Sequence, residues 1–348
     1  MKKIYVVTVF NSLNSGSFLQ ATSLYRAISD LGYEVSFLDT GARNLWKQAS
    51  VEFVYMLKNK NFAAAFGKYK QAIALTKELK RYNRTKIGKL KESDENVFIL
   101  GSDEIWNVAR KDMAKNPIFW GKGLNMKKCI SYAPSINNAK EEHLKQYDFV
   151  KEAMDTLFAV SVRDHYSFET LRKITDRDII EVCDPTLLVD PHDYYDLKSD
   201  IKIDNYILVY MYAKAFSKKD VVALKEFAKE KGKKLVAFGS NFKWCDLNVN
   251  GTPWDFLSYI EGADYVCTGT FHGTLFSALF KKRFVVVENK NKKVAELLAK
   301  FGLSERQTNS DRFKQVLEND YDTEKLSNTL LHLRSNGLHY LKESIERI

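Results

Sequence analysis

One stretch, Ala263 to Glu288 (ADYVCTGTFHGTLFSALFKKRFVVVE), narrows the choice of fold more than any other. Tyr265 to Thr268 reads as a buried strand, Gly269 as a turn, Phe271 to Lys281 as a helix, and Phe284 to Glu288 as a second strand. This is a short βαβ unit, and its turn carries chemistry. Thr270 stands where an N-cap is needed, so its hydroxyl can accept from an early helical N–H. The remaining N–H groups of Thr270, Phe271 and Gly273, with the positive end of the helix dipole, make a ready anion site. Gly273 lets a ligand approach the backbone, and His272 sets a titratable group beside it. A plain helix start, with His272 hydrogen-bonded to a neighbour, fits the same residues.

At 348 residues the chain is long for one core and suits two domains. With hydrophobic residues at 45%, long disorder is not expected. Met1-Lys2-Lys3 runs straight into a strand-like segment with no cleavage site, and no apolar run approaches a membrane span. Cys129, Cys183, Cys245 and Cys267 are scattered, without metal-ligand or disulfide spacing. We therefore expect reduced thiols, no bound metal and a cytoplasmic protein.

Charge is concentrated in one place. Between Arg43 and Glu92 lie thirteen Lys or Arg against three acids, a surplus equal to the +10 of the whole chain. This helical segment also carries Trp46, Phe53, Tyr55, Phe62 and Phe66, so it can lie against an anionic membrane at the inner face. A solvated lysine-rich face is the alternative. No nucleic-acid motif is present, and no nucleic-acid partner is expected.

The chain opens as strand, loop, helix and strand: Lys3 to Phe10, Asn11 to Phe18, Leu19 to Leu31, Val35 to Asp39. The loop has only Gly16, which argues against a dinucleotide. A helical region from Asn44 to Tyr82 precedes the strand Val97 to Leu100, which delivers GSDEIWN at its carboxyl end. There Asp103 is placed to take a proton from a substrate hydroxyl, and Trp106 to stack on a sugar. An N-cap at Ser102 or Asp103 is the alternative. Arg163 follows the strand Phe158 to Val162 and offers a charged fork to a carboxylate or phosphate, or else a salt bridge to a nearby acid. Periodicity fades around Pro191 to Lys202, which divides the chain into domains 1–195 and 196–348. The second half restarts the alternation, and an apolar stripe from Leu326 to Ile345 marks a last helix that packs back across the junction.

Several stretches occurring in this order resemble the polysaccharide pyruvyl transferase family: NSGSFLQA (14–21), FILGSDEIWN (98–107), ISYAPS (130–135), SVRDHYS (161–167), CDPTLLVD (183–190) and ADYVCTGTFHGTLFSALF (263–280). The resemblance implies an α/β fold of two Rossmann-like domains facing across a cleft, similar to the GT-B architecture. It implies transfer of the enolpyruvyl unit of phosphoenolpyruvate to hydroxyls of a surface saccharide, free or lipid-linked, forming a pyruvate ketal. In this frame His272 and Asp103 are the catalytic candidates. Arg163, Thr270, Phe271 and Gly273 are donor-binding, and Asn14, Gln20 and Trp106 acceptor-binding. Where family members carry Asp-Ser or an arginine before Phe-His-Gly, this chain has Gly269-Thr270. Donor charge would then come from Arg163, helped by Lys281, Lys282 or Arg283. A nucleotide-sugar glycosyltransferase and a non-catalytic glycan-assembly protein are the rival readings.

Overall fold

The computed structural model describes residues 2–42, 44–58, 62–212, 216–288 and 292–348, apart from the side chains of residues 62–64, 191, 195 and 196. The chain forms two compact units. The first is Met1–Gln48, Ala72–Asp190 and Leu331–Ile348, and the second is Ala49–Gln71 and Pro191–Leu330.

In the first unit, β1 (Lys3–Val7), β2 (Glu34–Asp39), β3 (Arg84–Lys86), β4 (Asn96–Leu100) and β5 (Cys129–Ser131) form a sheet in the order β3-β2-β1-β4-β5. Every neighbouring pair is parallel. Ile4, Val6, Ile99 and Leu100 are completely buried, as expected of strands covered on both faces. The order reverses between β1 and β4, which pair with Val7 opposite Leu100. The loops leaving these two strands diverge and open a crevice at their carboxyl ends.

Two very short strands, β6 (Ser161–Val162) and β7 (Ile180–Glu181), pair in parallel next to this sheet. Serines join them to β5. Ser131 Oγ donates to the Ser161 carbonyl at 2.9 Å, and Ser161 Oγ donates to the Ser131 carbonyl at 2.6 Å. Side-chain hydroxyls thus supply bonds that a longer backbone ladder would have made.

The second unit repeats the plan. Its strands β8 (Tyr206–Tyr210), β9 (Lys234–Phe238), β10 (Leu247–Val249), β11 (Tyr265–Thr268), β12 (Arg283–Val287) and β13 (Gln307–Thr308) run in the order β10-β9-β8-β11-β12-β13. They too are all parallel, and the reversal lies between β8 and β11, with Tyr210 opposite Thr268.

The expected helical region 44–82 is two helices, Leu45–Lys58 and Phe62–Glu78, followed by a 3-10 turn, Leu79–Arg81. Sequence places the whole of 43–92 in the N-terminal domain, whereas residues 49–71 belong to the second compact unit. Arg43, Lys60 and the side chain of Phe62 lie outside the described residues. The helix Thr323–Arg347 returns the chain to the first unit from Leu331 onward. There Tyr340 Oη donates to the Ser131 carbonyl at 3.0 Å and Arg334 Nε to the Leu187 carbonyl at 2.8 Å. The four cysteines are buried and unpaired as thiols. Among the described residues, no helix is long and apolar enough to cross a membrane.

Candidate functional site

Each unit carries expected site residues at its own strand-order reversal. In the first, Gly101 leaves β4 at φ +142°, and a Cβ there would stand 1.9 Å from the Tyr132 carbonyl oxygen, so only glycine fits. The next peptide, Gly101-Ser102, is cis. Asp103 has φ 73° and ψ −168°, a strained combination for a residue with a side chain. Its backbone is held by the Ser135 N–H, which donates to the Asp103 carbonyl at 2.8 Å. Its carboxylate is held as well: Oδ2 accepts from Ser17 Oγ at 2.6 Å, and Oδ1 lies 3.8 Å from Arg163 Nη2.

Ser17 reaches Asp103 because Asn14 caps the Ser15–Asp30 helix, its Oδ1 accepting from the Gly16 and Ser17 N–H groups at 2.9 and 3.2 Å. Gln20 is fully buried, and its amide donates to the Ser17 carbonyl at 2.8 Å. Asn14 and Ser17, with Ser12, Asp103, Glu104 and Arg110, line a polar cavity of about 210 Å³. Arg110 is shared between Asp112 at 2.7 Å and Glu104 at 3.6 Å. The cavity presents hydroxyls, carboxylates and a guanidinium, which suits a polyhydroxylated ligand.

Beside Asp103, Arg163 is only 5% exposed and donates through Nη1 to Asp184 Oδ2 at 2.7 Å. Asp184 Oδ1 in turn accepts from the Thr186 N–H and Oγ–H at 3.0 and 2.7 Å. Burial opposes the charge on Arg163, but the carboxylates of Asp184, Asp103 and Asp164 outweigh it and hold the guanidinium protonated.

In the second unit the turn after β11 is built on threonines. Thr268 Oγ1 donates to the Tyr210 carbonyl at 2.7 Å and accepts from the Thr270 N–H at 3.2 Å. Thr270 then caps the helix Phe271–Leu279, its Oγ1 accepting from the Gly273 N–H at 3.0 Å. His272 is half-buried in the first helical turn, edge-on to Phe271 with ring centroids 5.4 Å apart. The cap consumes the Gly273 N–H.

Comparison with known proteins decides the family. The model of the polysaccharide pyruvyl transferase family matches residues 14–291, a span that includes both sets of loops. The chain belongs to the polysaccharide pyruvyl transferase family. No curated protein matches the sequence. Among solved structures, a candidate UDP-N-acetylglucosamine 2-epimerase from Listeria monocytogenes is similar at 10% identity, covering 100% of this chain and 98% of its own, with a TM-score of 0.59. The glycotransferase of kitacinnamycin is similar at 13% identity over 99% and 98% of the two chains, with a TM-score of 0.50. At such identities the likeness concerns the fold, α/β with Rossmann-like units.

Against this family background, several expected roles change. Trp106 is no sugar platform: it is fully buried, stacked on Trp120 at 4.3 Å, and its indole N–H donates to the Phe119 carbonyl at 2.8 Å. Arg163 is not an open fork, because Asp184 already occupies it. Gln20 is buried and serves the helix start, whereas Asn14 both caps that helix and lines the cavity. Gly273 is small for packing reasons, since a Cβ there would meet Thr268 Oγ1 at 2.1 Å and Tyr210 Cδ1 at 2.9 Å. Lys281, Lys282 and Arg283 follow the opposite end of the nine-residue helix, about 13 Å from its start. There Lys282 donates to the Glu261 carbonyl and Arg283 pairs with Asp320, at 2.8 and 2.7 Å. Sequence reading missed Ser17 and Arg110. Ser17 was within sight, one helical turn past its Asn14 cap, but nothing local marks Arg110 as a cavity residue.

Proposed function

We propose that this family member transfers the enolpyruvyl group of phosphoenolpyruvate to a saccharide of the cell envelope, acting in the cytoplasm at the inner face of the membrane, and needs no metal or organic cofactor. The observation that carries the reading is the family match, which spans the Asp103 loop and the Thr270–Gly273 turn together. The helix start at Phe271 and His272 takes the anionic donor, because the positive end of the helix dipole there favours negative charge. His272 gives a proton to the methylene carbon of the enol. The resulting oxocarbenium-like carbon is attacked by an acceptor hydroxyl, whose proton passes to Asp103. Phosphate leaves with the C–O bonding pair, and a second hydroxyl of the same sugar closes the ketal. One of the two hydroxyl protons balances the new methyl group, and the other leaves with phosphate. Arg163 and Ser17 orient Asp103.

In this reading His272 acts as the acid in the complex with the anionic donor. Thermal-shift titration tests the donor, since a ligand that binds only the folded state raises Tm. Phosphoenolpyruvate should raise Tm in the wild type and in His272→Ala, while uridine and guanosine diphosphates leave it unchanged. Phosphate release should fall at least about 100-fold in His272→Ala. A shift with a nucleotide alone would replace this reading by glycosyl transfer.

A further inference from the structure

Where they belong to the second unit, the two helices Leu45–Lys58 and Phe62–Glu78 turn large apolar side chains outward. Within residues 49–71, Lys68 is turned inward and only 9% exposed, together with the buried Ala49, Ala65 and Gln71. Val51, Val54, Tyr55 and Phe66 point outward at 63, 50, 58 and 59% exposure. Phe53 joins the two helices edge-on, 5.7 Å from Phe66 and 4.9 Å from Tyr69. Val51, Val54, Tyr55 and Lys58 recur at helical spacing and so form one stripe, ending in an exposed lysine. On the second helix Phe66 is followed one turn later by the exposed Lys70. A face of large apolar groups tipped by cations, inside a segment with thirteen basic and three acidic residues, is complementary to an anionic bilayer.

We infer that Val51, Val54, Tyr55 and Phe66 enter the boundary of an anionic membrane while Lys58 and Lys70 contact its headgroups. This specifies the peripheral placement proposed above and rests on it. The apolar side chains supply insertion, and the lysines select negatively charged lipid. The ordinary reason for lysine-rich helices, solubility, does not account for aromatic and branched residues at the outward positions.

The test is flotation of the full chain with vesicles of phosphatidylcholine, and with vesicles of equal parts phosphatidylcholine and phosphatidylglycerol. The wild type should float only with the anionic vesicles. Lys58→Gln with Lys70→Gln should weaken binding about 25-fold at low salt, since each headgroup-proximal lysine is worth roughly fivefold. Val54→Glu with Tyr55→Glu and Phe66→Glu should abolish it. All variants should keep the phosphoenolpyruvate shift, and the lysine variant the wild-type Tm, because the replaced groups are exposed; the glutamate variant also loses the Phe53–Phe66 ring contact, so circular dichroism checks its fold. Absence of flotation, or equal flotation of wild type and variants, overturns the inference. So does a wild-type dimer in light scattering that the glutamate variant converts to monomer, which would assign the face to a second copy. If the phosphoenolpyruvate shift persists while flotation fails, the membrane inference falls and the donor reading stands. If flotation holds without that shift, the reverse applies.

Discussion

At Gly273 the space an alanine would need is already filled by Thr268 Oγ1, Thr270 Oγ1 and Tyr210. Helix propensity alone favours Gly273→Ala by about 1 kcal/mol. Crowding should win, and the variant should lose about 1–3 kcal/mol, read as a lowered denaturant midpoint. An unchanged or raised midpoint would return Gly273 to the role of ligand-contact glycine. The Arg163–Asp184 pair makes a second test. Asp184→Ala strands a buried guanidinium and should cost about 3–5 kcal/mol, while Arg163→Met with Asp184→Leu should recover most of that loss. Urea midpoints of the single and double variants check this. Sequence showed that Asp103, Arg163 and His272 end strands or begin helices, because strand ends are marked by hydrophobic runs. It did not show which partner each side chain would meet. Trp106 is the clearest instance, since the Trp120 ring and Phe119 carbonyl that bury it come from a segment without periodicity.

Elements were more legible. β11 begins and ends at the expected Tyr265 and Thr268. The Ser15–Asp30 helix starts four residues before its expected start at Leu19, because Asn14 caps a polar first turn that carries no apolar signal. Inside the helix Thr323–Arg347, Gly337 breaks propensity for the sake of packing. A Cβ there would meet Tyr132 Oη at 2.6 Å, Leu188 Cδ2 at 2.8 Å and Cys183 Sγ at 3.0 Å. Gly337→Ala should therefore lower Tm in calorimetry, by a few degrees for about 1–2 kcal/mol, although alanine is the better helix former. On the helix Phe62–Glu78, burial lowers the pKa of Lys68 from its ordinary 10.5, with the Glu52 charge acting the other way. Because the folded value is the depressed one, the unfolded chain holds its proton to higher pH. The contribution of Lys68 to stability is greatest above 10.5 and falls as pH drops through the folded value. Lys68→Met should accordingly raise Tm by a few degrees at neutral pH, with the gain vanishing above pH 10.5. Melting curves across that range decide it.

For the whole molecule, two Rossmann-like alternations could be read from the sequence, and so could the return of the last helix. The membership of each unit could not, because exchange of residues 49–71 and 331–348 depends on contacts distant in sequence. Removing residues 331–348 should deprive Ser131 and Leu187 of the Tyr340 and Arg334 donors. Hydrogen exchange should then accelerate in β5 and β6 while β8 and β11 keep their protection. Equal acceleration in both sheets would mean the segment does not belong to the first unit alone. The same exchange of segments sets an order on synthesis. A ribosome finishes every strand of the first sheet before it begins the second, yet residues 331–348 emerge only after the second unit is complete. The half that is made first is the half that is closed last, and until then the surface around Tyr132, Cys183 and Leu188 waits open for Gly337 to cover it.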